Sequence, residues 1–247
     1  MSRHAITTSL QRRAPATVKS LGVRAIVDAF HRLYYNSAAR TWNDTRWLGV
    51  RVTKCPLDLW IYHELIVELR PDLVIETGTM FGGSALYLAS CMDLVGSGRV
   101  ITIDIQEKPG RPVHDRIRYV TGSSVDPAIV AEVAREAGEA SVVMVILDSD
   151  HSRQHVLGEL RAYSPLVTSG SYLIVEDTNL NGHPVLRDHG PGPHEAIELF
   201  LAQQPPFVRD AGREKFYLTF NPGGFLRRLD DTRAKDIDGA GRPRLPG

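Results

Sequence analysis

The stretch Val142–Asn179, VVMVILDSDHSRQHVLGELRAYSPLVTSGSYLIVEDTN, decides the fold. Two apolar runs, VVMVIL and YLIV, flank one helix's length of amphipathic sequence, and each run ends in acidic residues. This pattern is typical of two parallel strands joined by a crossover helix. Because parallel strands end at one edge of a sheet, we expect Asp148 to lie close to Glu176 and Asp177. That edge is where open α/β sheets bind ligands.

The same alternation extends on both sides of this stretch. Strand patterns occur in LVIETG, VITIDI and IRYVTGS, and helical patterns occur in GGSALYLASCMDL, PAIVAEVAREA and EAIELFLAQ. FVRDAG and KFYLTFNP are predicted to close the sheet, one of them as an antiparallel edge strand. The sequence therefore predicts an α/β fold with a doubly wound, mostly parallel sheet of seven strands.

Three segments are expected along the chain. Residues 1–54 form an N-terminal helical extension, with an amphipathic helix at about Val18–Tyr35, followed by an irregular connector. Residues 55–229 form the main domain, and residues 230–247 contain so few apolar side chains that we expect them to be disordered. The helix of the extension is expected to serve in packing or in contacts of a homo-oligomer.

The overall composition argues against several classes of protein. The formal net charge is zero, which argues against a nucleic-acid binder, because such binding needs a basic surface. The sequence contains no run of about 18 apolar residues, so it predicts no membrane-spanning helix. Two cysteines fit a reducing compartment, and we expect a cytoplasmic protein. The Arg-rich first 40 residues leave a targeting or membrane-surface arm open as a minor alternative.

The turn after the first main-domain strand, ETGTMFGGSA, is a candidate cofactor site. Glycines such as Gly78 let a ligand approach the backbone, and the helix that begins near Ser84 offers its N-terminus. The spacing departs from the G-x-G-x-x-G fingerprint of dinucleotide binders. It fits S-adenosylmethionine better, because this ligand lacks phosphate and carries an ammonium group that Glu76 could contact. A tight turn without a ligand is the alternative.

Two further strand ends extend this candidate pocket. Asp104 ends the second strand, where an acid accepts hydrogen bonds from ribose hydroxyls; a helix cap or a surface acid is the alternative. Gly122 and Ser123 follow the third strand and are placed to border an adenine. Ser124 or Asp126 could simply cap the helix that follows.

The acidic clusters in Val142–Asn179 predict a divalent metal site. Converging carboxylates repel one another unless a cation lies between them, and oxygen ligands of this kind suit Mg²⁺. Asp148 is the preferred first ligand, with Asp150 as its rival; caps and solvated loops are the alternative for these acids. His151 is placed to act as a general base at neutral pH, and a polar loop histidine is the alternative.

Substrate contacts are expected from two loops near this edge. The segment Thr178–His194 is long and rich in Gly, Pro, Asn and His, and it offers Asn179, His183 and His189 unless it is purely structural. Lys54 precedes the main domain and could fold over the same pocket, although a plain surface residue is the simpler interpretation.

The motifs ETGT-x-x-GGSA, TGSS, LDSDH and VEDTN together resemble the cephalosporin hydroxylase family. Its members are metal-dependent S-adenosylmethionine O-methyltransferases, similar to the macrolide-sugar O-methyltransferases. The resemblance runs from about Trp47 to Leu229. It implies a Rossmann-like class I methyltransferase fold with S-adenosylmethionine and Mg²⁺ as cofactors. It also implies that His151 is the general base and that Asp148, Glu176 and Asp177 are the metal ligands. Asp148 is expected to contact S-adenosylmethionine as well.

The reaction that this resemblance implies is methyl transfer to a sugar hydroxyl of an oligosaccharide or a glycosylated natural product. The reducing-end 1-hydroxyl of a mannose oligosaccharide in polysaccharide biosynthesis is the most specific hypothesis. A phenol or catechol O-methyltransferase is an alternative that an aromatic-lined pocket would favour. A non-catalytic S-adenosylmethionine-binding partner in an antibiotic hydroxylation or methoxylation pathway is the other.

Overall fold

The computed structural model describes residues 17–230, with side chains described from residue 22 onward. The first 16 residues of the Arg-rich arm precede this range. The tail from residue 231, for which we predicted disorder, also lies outside it. Among the helices in the described range, none combines the length and apolar character needed to cross a membrane.

Helices and strands follow the alternation that the sequence predicts. The helices are α1 Thr17–Asn36, α2 Pro56–Leu69, α3 Gly83–Val95, α4 Pro127–Ala137, α5 Arg153–Tyr163 and α6 Pro193–Leu201. The strands are β1 Arg46–Trp47, β2 Val50–Arg51, β3 Leu73–Thr77, β4 Arg99–Asp104, β5 Ile117–Thr121, β6 Val143–Leu147, β7 Tyr172–Val175, β8 Phe207–Arg209 and β9 Phe225–Arg228.

Seven strands form one sheet in the order β5-β4-β3-β6-β7-β9-β8. The five from β5 to β7 are parallel, and β9 runs antiparallel to both of its neighbours. The register pairs Thr77 with Leu147, and Leu147 with Val175. The residues after these three strands therefore emerge side by side, as the sequence predicts. The seven-stranded, mostly parallel, Rossmann-like fold is confirmed.

Helices cover both faces of the sheet and bury its central strands. Every residue of β3 and β6 is buried, which explains why β6 is continuously apolar and why β3 is apolar up to Glu76. Alternate side chains pack on α4, α5 and α6 on one face, and on α2 and α3 on the other. The sheet is thus a rigid support for the loops at its carboxyl edge.

The second closing strand differs from the prediction. KFYLTFNP is not a strand, and β9 begins after it. The reason lies in Asp58 of α2, whose buried carboxylate accepts a hydrogen bond from Thr219 Oγ1 at 2.5 Å and from the Phe220 N–H at 2.8 Å. A side chain thereby takes the backbone donor that a strand would use in its ladder. The segment lies against α2 instead.

The N-terminal extension packs onto the main domain through aromatic side chains. The ring of His31 stacks on Phe220 at 5.6 Å, and Trp42 meets Phe220 edge-on at 5.9 Å. The connector predicted to be irregular contains a short antiparallel hairpin of β1 and β2. These contacts bring Tyr35 and Trp42 to the carboxyl edge of the sheet.

Candidate functional site

A cavity of about 820 Å³ lies at the carboxyl edge of the sheet. Most of the predicted site residues line it: Gly78, Ser84, Asp104, Gly122, Ser123, Asp148, His151, Asp177 and His189. The N-terminal extension adds Tyr35 from the end of α1, and Trp42 and Asn43 from the connector. Sequence reasoning missed them because a local pattern does not show where the extension packs on the main domain. A single space thus joins the predicted cofactor turn to the predicted metal residues.

The floor of this cavity requires glycine at position 78. Gly78 has φ +87°, and a Cβ built there would lie 1.7 Å from the backbone oxygen of Asp148. Gly83 is as constrained, since its Cβ would lie 2.1 Å from the Arg51 backbone oxygen. The turn after β3 therefore brings bare backbone against the loop after β6.

Glu76 lies beneath the cavity as a buried acid with a free oxygen. Its Oε2 accepts a hydrogen bond from Thr102 Oγ1 at 2.6 Å, whereas its buried Oε1 has no hydrogen-bond partner in the described part of the chain. Burial raises its pKa, and the nearby charge of Lys54 opposes that shift. An unpartnered buried carboxylate oxygen fits a ligand that carries an ammonium group.

Asp104 is held in place by the turn after β3 and by its own loop, which includes an arginine. Its Oδ2 accepts from the Met80 N–H at 2.8 Å and from Arg111 Nη2 at 3.0 Å, and its Oδ1 accepts from the Gln106 N–H at 2.9 Å. Arg111 is a site residue that the sequence did not single out, because it follows Asp104 in an irregular loop. The ribose role of Asp104 stays a prediction.

The end of β5 forms the opposite side of the cofactor half of the cavity. Gly122 and Ser123 line it, and Ser124 Oγ lies 3.0 Å from His155 Nε2. The capping role considered for Asp126 is present, since its Oδ1 accepts from the Ala128 N–H at 2.7 Å. Ser124 therefore faces the site, and Asp126 caps the N-terminus of α4.

Three of the predicted residues form a possible metal cluster. The ligand atoms of Asp148, His151 and Asp177 all lie within 4.8 Å of one another, and His151 Nε2 lies 3.1 Å from Asp177 Oδ2. Asp150 is exposed, and its Oδ1 accepts from the Ser152 N–H at 2.7 Å. The donor set fits Mg²⁺ in its carboxylates, and Asp148 rather than Asp150 belongs to the cluster.

Lys54 and Glu176 lie next to this cluster and bind each other. The Lys54 side chain is 3% exposed, and its Nζ donates to Glu176 Oε1 at 2.5 Å and also to the Asp148 carboxylate. Tyr62 Oη donates to the same Glu176 oxygen at 2.8 Å. The interpretation of Lys54 as a surface residue is wrong, because the link between β2 and α2 inserts it between the ends of β6 and β7.

Burial dominates the electrostatics of these acids. It raises the pKa of Asp148 to about 6, against the attraction of Lys54. It also raises the pKa of Glu176 to about 7, with repulsion from Asp148 as the second cause. Burial lowers the pKa of His151, but Asp177 and the other acids outweigh it and the net shift is upward. The site therefore attracts cations.

The loop between β7 and α6 contributes unequally to the cavity. Of the three residues of this loop that were predicted to contact substrate, His189 lines the cavity. Asn179 is buried, with Nδ2 2.9 Å from His31 Nε2, and His183 Nε2 lies 3.0 Å from Glu195 Oε1. These contacts tie the loop to α1 and α6. The substrate roles of all three residues stay predictions.

The chain is similar to known proteins in both sequence and structure. The sequence profile of the rhamnosyl O-methyltransferase/CmcI family matches residues 39–229. The chain is 43% identical over 211 residues to a rhamnosyl O-methyltransferase of Mycobacterium tuberculosis, covering 83% of this chain and 85% of that protein. It is 42% identical over 210 residues to that of Mycobacterium leprae, covering 83% and 91%.

A structural comparison agrees on the fold. A solved structure of CmcI with Mg and SAM superposes with a TM-score of 0.59 at 22% identity, covering 76% of this chain and 78% of that one. At this identity the similarity concerns the fold alone. The matched range begins at residue 39, so the whole of α1, Thr17–Asn36, lies outside it.

Proposed function

The chain belongs to the rhamnosyl O-methyltransferase/CmcI family, and from this we propose that it transfers a methyl group from S-adenosylmethionine to a sugar hydroxyl, with Mg²⁺ as cofactor. The sequence motifs resemble this same family. The observation that supports this function best is that one cavity joins the glycine turn after β3 to the Asp148, His151 and Asp177 cluster. A methyl donor and an activated hydroxyl need such a shared space.

The cofactor half of the cavity is assigned to the methyl donor. Glu76 Oε1 is the acceptor for the ammonium group of the donor, Gly78 admits the donor to the backbone, and Asp104 accepts from its ribose. Gly122 and Ser123 border the adenine. Rigid strand ends hold these groups, so the donor is bound in one orientation.

The acidic half of the cavity is assigned to the metal and the base. Asp148, Glu176 and Asp177 are the proposed ligands of Mg²⁺. When bound, the ion supplies a Lewis acid that lowers the pKa of the acceptor hydroxyl. His151 takes the hydroxyl proton at a ring nitrogen, and Asp177, 3.1 Å away, orients the imidazole and stabilises its protonated form.

We propose a rhamnosyl residue as the acceptor rather than the reducing-end mannose predicted from the sequence. The relatives at 42–43% identity are rhamnosyl O-methyltransferases, and they span nearly the same length as this chain. A phenolic acceptor is the second candidate, and the observation that favours it is the aromatic pair Tyr35 and Trp42 at the cavity.

A panel of acceptors tests this function. The protein is incubated with labelled S-adenosylmethionine and a rhamnoside, a mannose oligosaccharide or a catechol, each with and without a chelator. We expect transfer to the rhamnoside, loss of at least about 100-fold with the chelator, and recovery with Mg²⁺. Transfer to catechol alone would select the second candidate. Undiminished transfer under chelation would remove the metal from the proposal.

The acceptor side of the cavity is assigned to Tyr35 and Trp42. The two rings stack at 5.3 Å, and Trp42 Nε1 donates to the Tyr35 backbone oxygen at 3.0 Å. Burial raises the pKa of Tyr35 to about 12, and the negative charge of Asp177 adds to this shift. The Tyr35 hydroxyl thus senses the charge of a proposed metal ligand. Flat rings beside the reacting centre can pack on the C–H face of a sugar.

Trp42→Ala is therefore expected to raise the KM of the acceptor about tenfold, the effect of losing one aromatic contact. The dissociation constant of S-adenosylhomocysteine should change less than twofold. Trp42→Phe is the matched control, because it keeps a ring against Phe220 and should retain most acceptor affinity. An unchanged acceptor KM in a folded Trp42→Ala protein would move the acceptor away from this wall.

A homo-oligomer remains part of the proposal. Apolar side chains of α1 recur at helical spacing on its exposed side, at Val23, Ile26, Phe30 and Leu33, with exposed fractions of 45, 71, 52 and 64%. A second copy would cover such a stripe, as in paired helices. Light scattering tests this expectation, which a monomer at micromolar concentration would contradict.

A further inference from the structure

Lys54 is a buried lysine whose ammonium group lies between two of the proposed metal ligands. Its Nζ donates to Glu176 Oε1 at 2.5 Å and to the Asp148 carboxylate, and its side chain is 3% exposed. The two acids lie 94 and 122 residues away in sequence. An inference about this contact rests on the proposed function, because it concerns the same acids.

The lysine is charged in this setting. Its Nζ donates hydrogen bonds to the carboxylates of both Asp148 and Glu176, and two carboxylate partners favour the protonated form of a lysine. The side chain is thus an ammonium ion at neutral pH. Removing one partner of such a buried set leaves the other charges uncompensated, which is strongly unfavourable.

We propose that Lys54 is the resident counter-cation of the metal-free site and competes with the divalent cation for Asp148 and Glu176. The competition is for the negative charge of the same two carboxylates. Glu176 Oε1 already accepts from Lys54 Nζ and from Tyr62 Oη, so this oxygen becomes available to a metal when the ammonium group moves away. Lys54 is therefore a positioning residue that sets metal affinity.

This arrangement explains how the site stays folded without a metal. The ends of β6 and β7 are adjacent in the sheet, and each contributes an acid. Without a cation between them these acids repel each other. Lys54 supplies one positive charge there, which holds the carboxylates in place and keeps the affinity for a divalent cation moderate, so that the cation exchanges.

The test is direct binding of Mn²⁺, followed by the electron paramagnetic resonance signal of the free ion. Lys54→Met removes the charge and keeps the length of the side chain. We expect it to bind Mn²⁺ at least about tenfold more tightly than the wild type, because a competing cation is gone. Its thermal unfolding temperature without metal should fall, and the rise on adding Mg²⁺ should exceed that of the wild type.

Lys215→Met is the matched control. Lys215 pairs with Glu64 outside the cavity, so its loss removes the same charge and should leave Mn²⁺ affinity within twofold. Unchanged or weaker Mn²⁺ binding by folded Lys54→Met would overturn the proposal. So would a wild type that binds no divalent cation.

A second measurement needs no variant. In wild-type protein labelled with ¹⁵N-lysine, the hydrogen-bonded ammonium of Lys54 should give a slowly exchanging signal that shifts or disappears as Mg²⁺ saturates the site. A signal that persists unchanged at saturation would overturn the competition. Neither measurement uses methyl transfer. Failure to methylate any sugar would thus refute the proposed function and leave this inference standing. Methyl transfer to a sugar without competition between Lys54 and the divalent cation would refute this inference alone.

Discussion

Replacing His151 with alanine is expected to lower kcat by about 10²- to 10⁴-fold, the usual contribution of a general base. The residue follows β6, lines the cavity, and lies 3.1 Å from Asp177. Sugar hydroxyls are weak acids, so the loss of the proton acceptor should slow the chemical step itself. The binding of S-adenosylhomocysteine and of Mn²⁺ should change less than threefold, and stopped-flow or single-turnover transfer measures the step.

The pH profile separates a base from a structural histidine. Burial lowers the pKa of His151, and the acids around it, Asp177 first, raise it above its ordinary value. A bound divalent cation offsets the field of these acids, so it favours the neutral imidazole that can accept a proton. We expect the wild-type rate to fall as the pH drops through this pKa, and this limb should vanish in His151→Ala.

His114→Ala serves as the control for this experiment. His114 pairs with Asp93 at 3.0 Å in the last turn of α3, outside the lining of the cavity, and its loss should leave kcat within twofold. A folded His151→Ala protein with kcat within threefold of wild type would assign the proton transfer to another group.

Replacing Asp177 with asparagine is expected to weaken Mn²⁺ binding by about 100-fold or more and to lower methyl transfer in parallel, because a carboxylate ligand is lost. The substitution suits the backbone. Asp177 has φ +54°, a conformation that asparagine adopts readily, so the fold should be retained. Mn²⁺ titration and the thermal unfolding temperature are measured together.

The metal-free stability of Asp177→Asn gives an independent check. Burial raises the pKa of Asp177, and repulsion from Glu176 adds to that shift, so removal of its charge should not lower the unfolding temperature. Asp150→Asn is the control: it removes a carboxylate from the loop after β6 that lies outside the metal cluster. Asp177→Asn binding Mn²⁺ as tightly as wild type, or Asp150→Asn losing the metal, would contradict the assignment.

The strand ends of the site could be read directly from the sequence. Asp148, Glu176, Glu76 and Asp104 each close an apolar run, and in a parallel sheet every such end faces the same edge. Hydrophobic periodicity is a local property, so it can be recognised in a short segment without reference to the rest of the chain. The prediction failed at KFYLTFNP, whose β-like pattern is overridden by the hydrogen bonds that Thr219 and Phe220 donate to Asp58 of the distant helix α2.

The sequence by itself therefore determined the α/β fold, the order of its elements and the glycine and acidic residues at the carboxyl edge. The tertiary structure alone decided which groups those residues meet: Lys54 between Asp148 and Glu176, Arg111 on Asp104, and Tyr35 and Trp42 at the cavity. The physical reason is separation along the chain. The spacing of apolar residues in a strand or a helix, two or 3.6 residues, is visible within a short stretch of sequence. A lysine paired with acids 94 and 122 residues away depends on how the N-terminal extension, α2 and the sheet pack together.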